Sequence, residues 1–531
     1  MTDDRTPELY VIAPGAALPR GGAAEVGNKA WNLMRLAAAG LRVPPGFALP
    51  THWCRKLKSD AAADLATPLR RGIAWLEQTS GLGFGSPRRP LLVSVRSGAP
   101  VSMPGMLDTV LDIGLNRTTV EGVIRLTGNP RLAWDSYRRL VRGFGEVVTG
   151  LPADAFDAVT AEIAGADPPP GGYDHLALRA VTLAMLDQYR ALAGEPFPDD
   201  VHDQLARAAA AVFASWDAPK AVTYRRLNGI ADDIGTAATV QMMVFGNAGG
   251  ASGAGVGFTR DPATGERTLY VDFQFNGQGE DVVAGRNVLN DRTLLRRRLP
   301  LLTGELETGS RALETLFCDA QDFEFTLQSG TLYLLQTRSA KTTPWARLRI
   351  AVDLVTEGVI TPAEALERLH GLDLDSIVRK RLAGTAGAPL ASALIASPGV
   401  ATGAIALTPE AAERMAGTGQ KVILVRRDIA TEDIAGLAGA EGVLTAAGGR
   451  TSHASVVARQ LGKVCLVGCT ALGIDAARRQ CRIGGRLLDE GETISLDGNA
   501  GQVFAGALEV VTERPERELA VIRDWRRAAA A

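Results

Sequence analysis

The 531-residue sequence has no strong excess of either charge. Its 57 Lys and Arg residues are balanced by 59 Asp and Glu, and the formal net charge is −2. This balance argues against nucleic acid or an anionic membrane as the main partner. A phosphate-binding site must therefore be a local arrangement of a few Arg, Lys and backbone N–H groups.

Cysteine is scarce, and the number of cysteines is odd. The five cysteines are scattered, and Cys465 and Cys469 have no second Cys/His pair that would complete a zinc site. We therefore expect reduced thiols in a cytoplasmic protein rather than disulfides.

The sequence also has no uncharged apolar run long enough to span a bilayer. Its first residues, Met1-Thr-Asp-Asp-Arg, are charged and predict no signal peptide. We therefore expect no membrane partner.

The length exceeds that of one ordinary core and predicts two to four domains. Before about residue 345, short strand-like runs alternate with Gly-rich turns and amphipathic helices. Leu91 to Val95 predicts a strand, residues 130–148 predict a helix, and the Pro-Pro-Pro-Gly-Gly run at 168–172 predicts a loop. Residues 346–382 have helical spacing, and Thr361-Pro-Ala-Glu364 is typical of a helix start.

A Gly/Ala/Pro stretch at 383–390 is typical of a hinge. Short β-rich runs separated by Gly turns follow it and predict a compact domain of roughly 120 residues. A charged tail at 511–531 predicts a terminal helix. The β-rich runs are 403–407, 422–425, 442–445 and 493–496.

The strongest chemical signal is Gly448-Gly-Arg-Thr-Ser-His-Ala-Ser-Val-Val-Ala-Arg459. A strand at 443–445 is predicted to run through a glycine pair into a helix whose first turn carries Thr451, Ser452 and His453. Free N–H groups and the helix dipole favour an anion at such a start. An imidazole placed there can carry a phosphoryl group. Read alone, His453 would be a capped surface histidine.

The segment from 448 to Cys469 resembles the swivelling phosphohistidine domain of enzymes that make or use phosphoenolpyruvate. Further segments resemble pyruvate phosphate dikinases in particular, so that the resemblance covers about residues 20 to 508. These segments are Gly27-Asn-Lys-Ala-Trp-Asn-Leu33, Val43-Pro-Pro-Gly-Phe47, Ser94 to Met106, 129–148, 236–247, 257–266, 276–285 and 319–324.

The resemblance implies an ATP-grasp nucleotide domain whose triphosphate ligands include Lys29 and Arg96, both expected in glycine-containing turns. Arg138 and Arg139 lie in a helix that the family uses near the phosphates, and the sequence leaves open which of them faces inward. The family usually has more Gly in its Gly-Gly-Lys-Gly-Ala-Asn-Leu turn than Gly27 to Leu33 has here.

The run Asp322-Phe-Glu-Phe-Thr-Leu alternates like a strand and places Asp322 and Glu324 on one face. Two such carboxylates suit Mg²⁺ held together with substrate phosphates. A three-residue turn at Ser329-Gly330 would set Glu324 opposite Gln336 and Asp322 opposite Arg338, whereas a two-residue turn would separate them.

The resemblance places Gln241 and Met243 by the adenine, with a Gly-rich loop at 246–255 over the phosphates. It makes Glu280 a further candidate near the nucleotide.

The predicted fold class is α/β and α+β multidomain, with an ATP-grasp domain, a helical linker and a compact β/β/α swivelling phosphohistidine domain. The expected boundaries are 1–345 for the nucleotide domain, 346–385 for the linker, 386–510 for the histidine domain and 511–531 for the tail. The sequence ends before the C-terminal barrel of the family.

The implied activity is a dikinase half-reaction. ATP and inorganic phosphate, with Mg²⁺, would phosphorylate His453 and yield AMP and diphosphate, with Arg96 assisting at the phosphates. Phosphate rather than water as the co-substrate rests on Ser102-Met-Pro-Gly-Met106, which resembles the dikinase branch.

The phosphoryl group would then pass to pyruvate on a separate phosphoenolpyruvate/pyruvate-binding barrel protein, or to another acceptor. Two alternatives stay open: a phosphoryl-carrier or regulatory nucleotide-binding protein, and a silent interaction module. The resemblance is compatible with a homodimer.

Overall fold

The computed structural model describes residues 7–60, 63–103, 106–165, 169, 172–279, 282, 292–383, 387–429, 434–448 and 453–530. Contacts within the chain group it into two compact units. Unit 1 comprises Met1–Ser252 and Leu327–Thr337, and unit 2 comprises Gly253–Thr326 and Arg338–Ala531. The chain is thus a mixed α/β multidomain protein, as the sequence predicts at this level. No helix in the described residues is long and apolar enough to cross a membrane.

Unit 1 contains seven complete strands within the described residues. They are β1 (Tyr10–Ile12), β2 (Gly46–Leu49), β3 (Gly83–Phe84), β4 (Pro90–Leu91), β5 (Val93–Gly98), β6 (Thr109–Ile113) and β7 (Ala237–Met242). Five of them form a sheet in the order β1-β2-β7-β5-β6, in which the neighbours run antiparallel. The strand expected at Leu91 to Val95 is divided between β4 and β5.

Helices cover this sheet and contribute most of the unit's core. They are α1 (Ala23–Ala38), α2 (His52–Ser59), α3 (Ala66–Ser80), α4 (Thr119–Thr127), α5 (Pro130–Thr149), α6 (Ala153–Ala164), α7 (His175–Ala193), α8 (Val201–Ala214) and α9 (Pro219–Leu227). A 3₁₀ turn spans Ser215–Asp217. The core contains large aromatic side chains, among them Trp53, Phe144, Phe156, Tyr189 and Trp216.

Helix α5 confirms the prediction at 130–148. The side chain of Asn129 accepts a hydrogen bond from the N–H of Leu132, Pro130 occupies the first turn, and Gly150 ends the helix at φ 69°. These are the start and stop signals that the sequence carries.

Unit 2 begins with β8 (Gly253–Phe258), β9 (Tyr270–Phe275), α10 (Arg292–Arg298) and α11 (Pro300–Phe317). The chain continues through β10 (Gln321–Gln328) and β11 (Thr331–Ser339), of which residues 327–337 count with unit 1. β8 pairs antiparallel with β9. Phe323 and Phe325 of β10 are buried.

A helical layer follows and has its own core. It consists of α12 (Pro344–Thr356), α13 (Pro362–Arg368) and a 3₁₀ turn at Leu374–Ser376, and α17 (Glu516–Ala530) returns from the chain end to join it. Thr361 caps α13 in a reciprocal capping box with Glu364, as predicted.

Two parts of the sequence predicted as helix are strands instead. β12 (Arg379–Leu382) pairs antiparallel with β24 (Val510–Glu513). The expected helix over 346–382 is therefore wrong at its end, and the expected helical tail begins only at Glu516. The partner strand supplies backbone hydrogen bonds and the Arg379–Glu513 ion pair of 2.9 Å, and such tertiary contacts outweigh helix propensity.

An eight-stranded sheet occupies the region from 391 to 505, with the order β13-β23-β22-β15-β16-β17-β18-β14. The chain also forms a three-stranded sheet of β19, β20 and β21. The strands are β13 (Ala391–Ser392), β14 (Leu394–Ser397), β15 (Val400–Ala406), β16 (Val422–Arg426), β17 (Gly442–Thr445), β18 (Val464–Val467), β19 (Leu472–Asp475), β20 (Gln480–Ile483), β21 (Arg486–Asp489), β22 (Thr493–Asp497) and β23 (Gln502–Ala505).

The strands from β15 to β18 are parallel and are joined by α14 (Pro409–Gly417), α15 (Ile434–Gly439) and α16 (His453–Gln460). Alternate residues enter different cores: Ile423 and Val425 lie in one cluster, and Val422 and Leu424 lie in the other. Both faces of the parallel strands are therefore covered, as parallel sheets require. The β-rich runs predicted at 403–407, 422–425, 442–445 and 493–496 are confirmed.

Candidate functional site

Lys29 lies in a helix rather than in the expected turn. Helix α1 is interrupted at Gly27, whose backbone is non-helical at φ 75° and ψ 156°. A Cβ at Gly27 would lie 1.8 Å from the carbonyl oxygen of Gly98, so only glycine allows this close approach. The helix effectively restarts at Asn28, and Lys29 stands in its first turn, where the positive end of the helix dipole favours an anion.

The restarted helix is tied to the end of β5. The N–H of Asn28 donates to the carbonyl of Ala99 at 3.0 Å, and the side-chain amide of Asn28 donates to the carbonyl of Pro100. A Cβ built on Gly98 would lie 3.6 Å from the Cβ of Lys29. Two segments about 70 residues apart in sequence are thus brought together.

Arg96 lies inside β5, and the prediction that it lies in a turn is wrong. Its guanidinium donates to the carbonyl of Leu335 at 3.1 Å and to Oε1 of Gln336 at 3.2 Å. Lys29 and Arg96 are both half-buried. Lys29, Arg96 and Gln336 therefore belong to one region of unit 1, although the sequence separates them by some 300 positions.

Arg138 and Arg139 share one carboxylate in α5. Asp135 accepts from Arg138 at 2.8 Å and from Arg139 at 2.9 Å. Burial acts to raise the pKa of Asp135, but Arg139 and Arg138 outweigh it, and the pKa is lowered. Asp135 is thus charged at neutral pH and orients both guanidinium groups. The sequence analysis missed this residue, although the i, i+3, i+4 spacing of Asp135 and the two arginines is visible in the sequence.

Gln241 and Met243 stand at the end of β7. The side chain of Gln241 is buried and donates to the carbonyl of Pro44 at 2.9 Å. Met243 is half-buried, and its N–H donates to the carbonyl of Leu92. The amide of Gln241 therefore joins two neighbouring segments in unit 1, and Met243 is the more accessible of the two.

The Gly-rich segment predicted at 246–255 divides into a loop and the first residues of β8. Gly249 and Gly250 have positive φ values of 86° and 56°. Glu280 lies outside the described residues.

Asp322, Glu324 and Arg338 belong to unit 2. Asp322 is 8% exposed and accepts from Nε and Nη2 of Arg338 at 2.9 and 2.8 Å. Burial raises the pKa of Asp322, and the nearby Glu324 adds to the rise, while Arg338 and Arg459 oppose it. This carboxylate is therefore destabilised by burial and stabilised by cations.

The turn before Arg338 differs from the expected one. β10 ends at Gln328 and β11 begins at Thr331, so the turn has two residues, Ser329 and Gly330, with φ of 49° and 81°. The three-residue turn that the sequence argument required is wrong, yet the predicted proximity of Asp322 and Arg338 is present. The long arginine side chain makes their pairing less dependent on register than a direct cross-strand contact.

Histidine 453 is the first residue of α16, the helix that connects the parallel strands β17 and β18. It therefore follows the carboxyl end of β17, the edge at which parallel α/β sheets place ligands. The predicted strand–glycine–helix order is confirmed, while Thr451, Ser452 and the side chain of His453 lie outside the described residues.

Neighbouring strand ends hold the start of this histidine loop. Ala446 and Ala447 donate to the carbonyls of Arg426 and Arg427 at 3.1 and 2.8 Å. On the other side, the N–H of Cys469 donates to the carbonyl of Thr445 at 2.9 Å. The loop thus leaves the sheet from a fixed point.

At the other end of α16, Arg459 is turned toward the body of unit 2. It donates to the carbonyl of Ala396 at 3.1 Å and lies 6.0 Å from the ring centre of Phe258. Burial lowers the pKa of Arg459, against the attraction of Cys465, Asp322, Asp261 and Asp272. The helix that begins with His453 therefore carries near its end a half-buried cation within the electrostatic field of Asp322.

The structure also bears on the cysteines and on the predicted Mg²⁺ ligands. All five cysteines are free, as predicted, and burial raises the pKa of Cys465 to about 12. No group of three or more His, Cys, Asp or Glu residues suited to a metal ion occurs in the part of the chain that the structure describes. If Asp322 and Glu324 bind a metal ion, most of its other ligands must therefore come from a substrate.

Comparison with known proteins finds two families along the chain. "Pyruvate phosphate dikinase, AMP/ATP-binding domain" matches residues 61–302, and "PEP-utilising enzyme, mobile domain" matches residues 418–501. The second match contains the histidine loop.

Similar curated proteins are pyruvate, phosphate dikinases. That of Clostridium symbiosum is 42% identical over 496 residues, which is 91% of this chain and 56% of that protein. Pyruvate, phosphate dikinase 2 of Zea mays is 40% identical over 94% of this chain and 57% of its own length. The Rhizobium meliloti protein is 39% identical over 97% and 60%. The chain thus spans little more than half the length of these relatives.

Proposed function

We propose that this chain is a dikinase-type phosphotransferase acting through His453. Its matches to the AMP/ATP-binding domain of pyruvate phosphate dikinase and to the mobile domain of PEP-utilising enzymes support this. The observation that carries the proposal is the position of His453, which begins α16 after the carboxyl end of β17 inside the matched mobile domain. The relatives that match along 91–97% of the chain are named for the same activity.

The proposed reaction has two displacements. An imidazole nitrogen of His453 attacks the β-phosphorus of ATP, the bond between this phosphorus and the oxygen bridging it to the α-phosphorus breaks, and AMP leaves. An oxygen of inorganic phosphate then attacks the γ-phosphorus, and the bond between this phosphorus and the oxygen bridging it to the β-phosphorus breaks. Diphosphate leaves, and the β-phosphoryl group stays on His453. Both steps spread negative charge over phosphate oxygens, which positioned cations stabilise.

Lys29 and Arg96 are the proposed triphosphate ligands. Lys29 stands at a helix start beside Gly98, and Arg96 is oriented by the carbonyl of Leu335 and the side chain of Gln336. Arg138, held by Asp135, is a further proposed ligand. Gln241 and Met243 are assigned to the adenine, and Glu280 to the nucleotide, on the family resemblance.

Asp322 and Glu324 are the proposed Mg²⁺ ligands. Their oxygen donors suit Mg²⁺, and because they are only two, the remaining positions fit nucleotide phosphates and water. The bound ion would neutralise phosphate charge in both displacements. Arg338 opposes the rise that burial causes in the pKa of Asp322 and so favours the ionised form that accepts a cation.

We assign residues 1–345 to an ATP-grasp nucleotide domain, 346–385 to the linker, 386–510 to the swivelling histidine domain and 511–531 to the tail. The pairing of β12 with β24 supports a separate domain at 386–510. The chain enters this domain after β12 and leaves it at β24, and the two paired strands form the β12–β24 ribbon. A domain attached by a single ribbon can turn between two stations.

The final acceptor is proposed to be pyruvate on a separate barrel protein, with this chain performing the ATP and phosphate half-reaction. The alternative is a phosphoryl-carrier or regulatory protein that passes the group to another acceptor.

The test uses ATP labelled at the β or the γ phosphorus, with Mg²⁺ and inorganic phosphate. We expect acid-labile label on the protein from β-labelled ATP only, and none on His453→Ala. The matched control is His370→Ala, which removes an exposed histidine outside the mobile domain match. With phosphate present, retained label from γ-labelled ATP would contradict the dikinase chemistry. Without phosphate, the first displacement should leave both labels on the protein, and loss of the γ label in that case would contradict the role of phosphate as co-substrate.

A further inference from the structure

A cavity of about 750 Å³ lies within unit 2, and its lining includes Arg459, which also lies in the field of Asp322. Most of its wall comes from three parts of the chain: residues 341–345 at the start of α12, residues 372–373 and 376–380 leading into β12, and residues 397–400 and 461–464 of the histidine-bearing domain (386–510). Ala263 and Thr264 also line it. The volume falls within the range of about 300–1,000 Å³ that is usual for small-molecule sites.

The lining of this cavity is cationic in a protein whose net charge is −2. Five cationic side chains face two carboxylates, which are Lys341, Arg379, Lys380, Arg459 and Lys463 against Asp373 and Glu441. Arg379 is paired with Glu513 at 2.9 Å, whereas no ion pair joins any of the three lysines to a residue that the structure describes. A concave, cationic surface of this kind attracts anions.

The start of α12 strengthens this preference. Thr343 caps the 13-residue helix and lines the cavity together with Pro344 and Trp345. The positive end of the helix dipole therefore adds to the charge of the lysines.

Apolar side chains form the rest of the wall. Val378 and Leu461 are 46% and 44% exposed, high values for large apolar side chains, and both line the cavity. The guanidinium of Arg379 lies over the indole of Trp345, 4.4 Å from the ring centre, and this contact fixes both groups. A ligand that matches both the cationic and the apolar parts of the lining therefore needs a negative charge and an apolar body.

We propose that this cavity binds a small organic anion, with a carboxylate or phosphate group carried on an apolar body. The ligand would contact the helical layer, the approach to the β12–β24 ribbon and the histidine-bearing domain at once. Since it binds fully only when these three parts adopt the observed arrangement, its binding favours that arrangement. This effect rests on the swivelling of residues 386–510 proposed above: the site regulates that motion.

The test uses the full chain and the fluorescent probe 8-anilinonaphthalene-1-sulfonate, which joins an anionic group to an apolar aromatic body. We expect saturable binding that MgATP does not displace. Lys463→Glu and Lys341→Glu should each raise the dissociation constant about tenfold, because each reverses one charge in the wall. The matched control, Lys421→Glu, makes the same change at an exposed position of the histidine-bearing domain outside the cavity and should leave binding unchanged.

Melting curves of the three variants establish that they are folded. Because Lys341 and Lys463 lie in different segments of the chain, the two cavity variants test the site independently. Hydrogen exchange at 379–382 and 510–513 should slow when the probe is bound. Absence of binding, displacement by MgATP, or equal affinity in all three variants would overturn the site. Binding without slower exchange in the ribbon would overturn its effect on motion.

Discussion

The histidine-bearing domain and the nucleotide-binding region assemble their candidate chemistry in opposite ways. In the first, the residues of interest lie in one segment, from Gly448 to Arg459, attached to a sheet whose two cores are built from Ala, Val, Leu, Ile and Cys. In the second, the candidate residues of unit 1 come from segments spread between Gly27 and Gln336. Many large aromatic side chains fill the core of unit 1.

This difference predicts how each region responds to mutation. A site formed by one loop depends on the loop and on its attachment points, here the carbonyls of Arg426, Arg427 and Thr445. A site assembled from distant segments depends on every contact that holds them together, such as Gly27 against Gly98. Substitutions remote from the reacting atoms should therefore matter more in the nucleotide-binding region.

The largest effect among the variants is expected for Arg96→Ala. Removing a positioned cation from a phosphoryl-transfer site typically lowers the rate by about 10²–10³-fold. Arg96→Lys should recover only part of this loss, because lysine cannot reproduce the two directed hydrogen bonds to Leu335 and Gln336. The rate of histidine phosphorylation measures this loss. Arg71→Ala, which removes an exposed arginine, is the control. Full activity of Arg96→Ala would remove Arg96 from the site.

Gly27→Ala tests the dependence on packing. The added methyl group would overlap the carbonyl oxygen of Gly98, so Lys29 must move, and a displacement of about 1 Å can lower a rate about 100-fold. Gly40→Ala has a similar φ of 78° but no atom within 4 Å of the added group, and it should cost only stability. Equal phosphorylation rates in the two variants would contradict the assembled site.

Asp322→Asn tests the metal assignment. Losing one negative ligand should raise the Mg²⁺ concentration for half-maximal phosphorylation about tenfold, equivalent to about 1.4 kcal/mol. The variant should keep its fold, since asparagine has nearly the same size. Asp319→Asn, two positions before the first residue of β10, is the control. An unchanged Mg²⁺ requirement would leave the ion pair with Arg338 as the only role of Asp322.

The pH dependence of Mg²⁺ binding should follow Asp322. Because its pKa is raised, the carboxyl group takes up a proton at a higher pH than an ordinary aspartate, and the proton competes with the cation. Mg²⁺ affinity should therefore fall as the pH decreases through this raised pKa and recover above it. Titration calorimetry at several pH values measures the effect, which Asp322→Asn should flatten. The same slope in that variant would assign the pH dependence to another group.

The smallest effect on rate is expected in the core of the histidine-bearing domain. Leu444→Ala removes a fully buried side chain of β17 and should lower stability by about 2–5 kcal/mol. The phosphorylation rate at low temperature should stay within about twofold of the wild type, because the attachment points of the loop are backbone groups. Thermal unfolding and labelling together measure this. A large loss of rate without unfolding would show that this site, too, depends on distant packing.

Local patterns predicted much of the secondary structure because their causes are local. The Asn-Pro start and Gly end of α5, the capping box at Thr361, and the strand–glycine–helix order around His453 all depend on residues a few positions apart. The resemblance to pyruvate phosphate dikinases also came from contiguous motifs, and comparison with known proteins confirms it.

Features that depend on a remote partner were mispredicted. Arg379–Leu382 has the composition of a helix end but is a strand because β24 lies beside it. Lys29 lies in a helix rather than a turn because Gly27 meets Gly98, and Arg96 lies inside a strand that pairs with β7. The two-residue turn at Ser329-Gly330 depends on two positive φ values that the sequence does not reveal for serine.

The sequence alone therefore determined the order of elements, the histidine loop and the kinship of its two domains, since each is encoded in neighbouring residues. Tertiary structure alone decided that Asn28 binds the end of β5, that Arg96 meets Gln336, that Asp322 is buried against Arg338, and that cationic side chains from three segments line one cavity. The physical reason is that these contacts join residues far apart in the chain, and their energies exist only after the chain has folded.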